Sequence, residues 1–108
     1  MEIVQVQTAH DDRDALQAII DDLVDRRLVA CGQIVGPIRS TFTWQGKVES
    51  ADEWLALLKT TAELAPRVIG RIRETHSYQV PELVTLPIES GDLHRFERTG
   101  GRGDGRHE

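Results

Sequence analysis

The stretch from Ala30 to Thr60 restricts what this chain can fold into more than any other. At its centre lies Trp44-Gln45-Gly46-Lys47, a glycine-containing turn between two long runs. In the first run Ile38, Ser40, Phe42 and Trp44 alternate with Arg39, Thr41 and Thr43. That period of two, in β-branched and aromatic residues, specifies a strand. Gly36-Pro37 interrupts it and predicts a bulge or bend, because proline has no N–H to give a sheet ladder.

The second run, Val48 to Thr60, carries conflicting signals. Ser50 followed by Glu53 has the spacing of a capping box, and Trp54-Leu55-Ala56-Leu57-Leu58-Lys59 is rich in helix formers. As a strand, the same residues place Trp54, Ala56 and Leu58 on one face and Leu55 and Leu57 on the other. Two apolar faces suit a central strand. Local propensity favours the helix; the elements around it decide otherwise.

Those elements read as follows. Ile3 to Thr8 alternates as a short strand. His10-Asp11-Asp12 supplies a cap and first-turn acids for a helix over about Asp12 to Leu28, with Leu16, Ile19, Ile20, Leu23 and Leu28 at helical spacing. Thr60 and Glu63 form a possible second capping box. Pro66 suits a first turn, and Leu64, Val68 and Ile72 make an apolar stripe to about Thr75. Leu83 to Ile88 is a last short strand. With the ambiguous run as a strand, the order is βαββαβ, an α+β ferredoxin-like sheet with a long central hairpin. With that run as a helix, a very long first arm would lie bare, so consistency favours the strand.

The 108 residues make one domain, residues 1–98, followed by a glycine-rich tail, residues 99–108, expected to be mobile. A net charge of −5 argues against nucleic-acid and anionic-membrane partners. One cysteine, Cys31, excludes an intrachain disulfide and suits a reducing compartment. No signal peptide or membrane-length apolar run is read, so the cytoplasm is expected.

Four pieces in order carry a family resemblance. Leu28-Val29-Ala30-Cys31 resembles the "LAAC" of the CutA (CutA1, divalent-ion tolerance) family. Ser40 to Glu49 resembles its "S-x-Y-x-W-x-G-K-x-E", Leu58-Lys59-Thr60 its "x-K-T", and His76 to Leu83 its "H-P-Y-x-x-P-E". The likeness runs in register from Ile3 to Ile88. It implies a ferredoxin-like homotrimer associated with copper and other divalent cations. Departures include Gly32-Gln33 within the family's "C-V-N-I", Ser77 for proline, and Leu93-His94-Arg95-Phe96 for the aromatic segment at the family's subunit contact.

The chemistry-bearing residues are few. The Cys31 thiolate suits Cu(I) or zinc, or Cys31 is a small residue entering a strand. His76 offers an imidazole, or complements a helix C-terminus. Glu82 offers a carboxylate, or solvates a strand entry. Cys31, His76 and Glu82 are therefore the candidate metal ligands, with His10, His94 and His107 read as incidental. No Cys-x-x-Cys or His-x-x-x-His spacing exists. The fold expectation puts Cys31 and His76 at opposite ends of the sheet, so a site using both must lie between subunits. Phe42 and Trp44 are expected at that boundary, because hairpin arms of about twelve residues, roughly 40 Å, outrun strands of about six; Trp54 and Tyr78 are assigned to it with them, Tyr78 being otherwise a packed aromatic with a bonded hydroxyl. No triad or phosphate loop is present, so neither an enzyme nor an organic cofactor is expected. Two other readings are a PII-like trimeric module binding small ligands between subunits, for which Lys47 is the only basic residue in the turn, and an interaction scaffold.

Overall fold

The run that local propensity assigns to a helix is a strand. In the computed structural model, which describes residues 2–89, β1 (Ile3–His10), α1 (Arg13–Asp25), β2 (Cys31–Trp44), β3 (Lys47–Thr61), α2 (Ala65–Thr75) and β4 (Val84–Ile88) follow in order. The expected segment Leu93–Phe96 and the tail 99–108 lie outside the described residues. The sheet has the order β2-β3-β1-β4, antiparallel throughout. Trp54 to Thr61 is paired with β1, and Leu55 to Lys59 within it is paired with β2 as well. A helix there would forfeit both ladders, and that loss outweighs the few tenths of a kcal/mol per residue of helix propensity.

Register divides the sheet into two faces. Val4, Val6 and Thr8 of β1 lie beside Thr60, Leu58 and Ala56 of β3, and all six are buried. Leu16, Ile19, Ile20 and Leu23 of α1, with Val68 and Ile72 of α2, complete the core on this side. Gly32 belongs to the same face: a Cβ on it would lie 2.7 Å from Ile20 Cγ2. The other face carries Gln5, Gln7, Leu55, Leu57, Lys59 and Cys31 and, among the described residues, has no helix on it. Leu55 and Leu57 are only half-buried there.

The helix ends differ from expectation in instructive ways. Asp12 caps α1 as expected, its carboxylate accepting from the Asp14 and Ala15 amides. However, α1 stops at Asp25 rather than Leu28. Arg27 adopts φ 60°, Arg27 N–H donates to Val24 O and Leu28 N–H donates to Leu23 O. That is a Schellman ending, and Leu28 is buried by folding back onto the core rather than by continuing the helix. The second capping box does not form. Thr60 is inside β3, and its hydroxyl donates to Leu28 O at 2.6 Å. Thr61 instead accepts from Leu64 N–H, and Pro66 sits in the first turn of α2. The helices are tied by Arg71, whose guanidinium grips Asp22 at 2.8 and 3.1 Å, while Arg26 donates to the same carboxylate. Arg71 foremost, with Arg26, holds the Asp22 carboxyl down at about 2.

Beyond the end of β1 the hairpin continues alone. A register shift between Val35 and Ile38 marks the bulge at Gly36-Pro37, and from there Ile38–Trp44 pairs, among the described residues, only with Lys47–Glu53. Seven rungs of two-stranded ribbon, ~23 Å long, therefore overhang the domain. One face carries the Arg39–Asp52 ion pair and the Thr41–Ser50 contact. The other carries Phe42 and Trp44, 43% and 48% exposed.

Thr60→Val keeps the shape of a buried side chain but leaves the Leu28 carbonyl without its donor. We expect a loss of about 1–2 kcal/mol, read as a lower urea midpoint with an unchanged slope.

Candidate functional site

A group of hydrogen-bonded polar side chains collects where β1 ends. Period-two alternation along β1 brings His10 to the end of the strand on the core side, and α2 delivers His76 directly after its last residue, Thr75. Both are buried, at 3% and 7% exposure. Their rings stack with centroids 4.4 Å apart and planes 24° from parallel. Tyr78 covers both, 5.0 Å from His10 and 4.6 Å from His76. Its hydroxyl donates to Glu53 Oε2 at 2.8 Å.

The hydrogen bonds define the tautomers. A carbonyl can only accept, so His76 Nε2 carries the proton that it donates to Ala9 O at 2.7 Å. A backbone amide can only donate, so His76 Nδ1 accepts from Tyr78 N–H at 3.1 Å. His10 is arranged in the same way: Nδ1 accepts from Asp12 N–H at 2.9 Å, leaving Nε2–H to donate to Ser77 Oγ at 3.0 Å. Asp11 Oδ1 lies 3.2 Å from His10 Nδ1 and is a partner only for a protonated ring. Burial pushes the His76 pKa below its ordinary value, against the bond to Ala9 O. Burial, and then Glu53, pushes the Tyr78 phenol well above its usual range, so it stays a donor at neutral pH.

Cys31 takes no part in this cluster. It is half-buried on the helix-free face, level with Lys59 and Gln5, whereas His76 meets β1 at Ala9, four residues further along. Within one protomer the two are apart. Glu82 is exposed in the segment before β4. Phe42 and Trp44 stand on the ribbon, Trp54 packs half-buried against the core, and Tyr78 is half-buried in the histidine cluster. Among the described residues, no group of three or more His, Cys, Asp or Glu is arranged to hold a metal ion. Each imidazole nitrogen at the cluster already has a hydrogen-bond partner.

His10, read from sequence as incidental, is thus central; Glu53, whose spacing from Ser50 suggests a helix cap, lies inside β3 and accepts from Tyr78, and Ser77, which departs from the family's proline, pairs with His10. For His10 a signal existed: it continues the Val4, Val6, Thr8 face of β1. Glu53 had none, because its partner is twenty-five residues away.

A ferredoxin-like domain with two helices on one face and a hairpin that outgrows its sheet is the class these features define. The family profile described as "CutA1 divalent ion tolerance protein" matches residues 4–96, and the chain belongs to that family. It is 40% identical over 79 residues to the "Divalent-cation tolerance protein CutA" of Thermus thermophilus, covering 73% of this chain and 77% of that one. It is 37% identical to human "Protein CutA" over 66% of this chain, but spans only 40% of that relative's length. The solved CutA1 structure from Thermus thermophilus superposes with a TM-score of 0.86 at 38% identity, covering 93% of this chain and all of that one. CutA1 from Oryza sativa gives 0.84 at 30% identity, covering 90% of this chain and 89% of that one. Among the described residues, no helix is long and apolar enough to cross a membrane.

The His76 pKa sets a pH dependence. Its folded value lies below the unfolded value of about 6.5, so its stabilisation is present above that pH and is lost as pH falls through the folded value. Urea midpoints between pH 7.5 and 5 should fall for the native chain. His76→Gln should start lower, by about 1–3 kcal/mol, and show a flatter profile.

Proposed function

We propose that this protein serves divalent-cation tolerance as a non-enzymatic homotrimer. The observation that carries the assembly is the overhanging ribbon. Phe42 and Trp44 are exposed on it, and among the described residues its outer strand, β2, has no partner on its far edge. Such an edge invites pairing with another chain. The helix-free face adds Leu55 and Leu57, both half-buried, beside the exposed Val84 and Leu86. Three protomers in a closed ring would pair each ribbon with a neighbouring strand and cover these residues. Light scattering at micromolar concentration should return three times the chain mass of 12.1 kDa, and a monomer mass would end the trimer reading.

The cation role draws on the printed name of the Thermus thermophilus relative. Cys31 is the first donor we propose. Its thiol is free, half-buried and on the helix-free face that assembly would cover. Glu82, exposed, supplies carboxylate oxygen. His76 joins the site only by releasing the Tyr78 amide from Nδ1, so its contribution is smaller than that of Cys31. With one thiol per chain the site is open, completed by water, carboxylate or the neighbouring subunit, and binding of copper or another divalent cation is moderate. The free cysteine also supports a reducing, cytoplasmic setting.

Calorimetric titration with Cu(I) and Cu(II) tests the assignment on the native chain, Cys31→Ser and His76→Ala, each first checked for oligomeric mass. Cys31→Ser should weaken Cu(I) binding by about tenfold or more, and native binding should weaken below about pH 6 as the ligands take up protons. Identical isotherms for all three proteins would remove both residues from the site.

A further inference from the structure

The overhanging ribbon raises a physical question: what keeps its direction constant? A two-stranded ribbon is marginally stable and twists more freely than a wide sheet. Here it leaves the sheet at one sharply defined place. His10, the last residue of β1, pairs with Trp54. The next residue of β3 toward the tip is Glu53, which has no β1 partner and pairs only with Ile38, just past the bulge. Glu53 is nevertheless 7% exposed, and a buried carboxylate needs a donor.

Tyr78 provides one, from outside the sheet. Its ring rests on His10 and His76. Those rings are in turn tied to the Asp12 amide and the Ala9 carbonyl, so the hydroxyl is anchored to the body of the domain. On the opposite strand Gly36, at φ 150°, closes against the same two residues of β3. A Cβ there would lie 2.8 Å from Trp54 Cδ1 and 3.1 Å from Glu53 O. The root of the ribbon is thus held from two sides, by a hydrogen bond and by close packing that only glycine permits.

We propose that Glu53 and Tyr78, with Gly36 seated on Trp54, form a latch that fixes the direction in which the β2–β3 ribbon leaves the domain and so presents Phe42 and Trp44 to the neighbouring protomer. The consequence for assembly rests on the trimer reading above. Tyr78 and Trp54 are then positioning residues, acting through the ribbon, while Phe42 and Trp44 make the contact. A ribbon already held in its bound direction loses less freedom on pairing, and association tightens accordingly.

Paired spin labels on Gln45→Cys at the hairpin turn and Asp25→Cys at the end of α1, in a Cys31→Ser background and diluted with unlabelled chain, read the ribbon direction. The parent should give one narrow distance distribution. Tyr78→Phe, which keeps the ring and removes only the hydroxyl, should at least double its width and raise the dissociation concentration of the oligomer roughly tenfold. Glu53→Gln, which keeps an acceptor, should stay close to the parent. Gly36→Ala, which pushes on Trp54, should move the mean distance. An unchanged distribution in both Tyr78→Phe and Gly36→Ala overturns the latch. A monomeric parent overturns the trimer reading instead, and the distance distributions still decide whether the latch exists.

Discussion

The pairing of β3 with two neighbours at once is the constraint on which the rest of this structure depends. Leu55 to Lys59 has β1 on one edge and β2 on the other. Because β3 is central, its alternate residues Ala56, Leu58 and Thr60 are driven under the helices, and α1 and α2 have a surface to cover. Because β1 ends at His10 while β2 and β3 run on, the hairpin leaves the domain as a ribbon. One difference in strand length thereby produces both a compact core and a projecting, partly apolar arm.

The end of β1 shows how the same chemistry can close a structure instead of binding a ligand. Three chain segments meet there, and each brings backbone groups that no helix or strand satisfies. The Asp12 and Tyr78 amides and the Ala9 carbonyl are all taken up by the imidazoles of His10 and His76. Histidine suits this work because one ring offers a donor and an acceptor in fixed geometry. The lone pair that would coordinate a metal is the one accepting an amide proton. That is why the proposed cation site leans on Cys31, away from the cluster.

Several features were open to inspection of the chain alone. Asp12 as a cap, Pro66 in a first turn, the bulge at Gly36-Pro37 and the turn at Gln45-Gly46 all follow from the backbone limits of those residue types. The family motifs between Leu28 and Leu83 were equally visible, since they are linear patterns. The end of α1 was not. Leu28 keeps the helical spacing, yet it reaches the core through a left-handed Arg27, a position usually given to glycine. Thr60 has the spacing of a cap and instead serves a carbonyl thirty-two residues away.

Sequence by itself determined the amphipathic stripes, the turns and the family motifs, because these depend on residues within a turn or two of one another, while for Trp54–Lys59 local signals pointed to a helix and only consistency with the other elements favoured a strand. Tertiary structure decided whether Trp54–Lys59 is helix or strand, which histidines are buried, and what Glu53 binds. Each of those outcomes depends on a partner far away in the chain. Only once β1 and β2 have closed on β3 does the strand gain two ladders, and only then do His10, His76 and Tyr78 come within hydrogen-bonding and stacking distance.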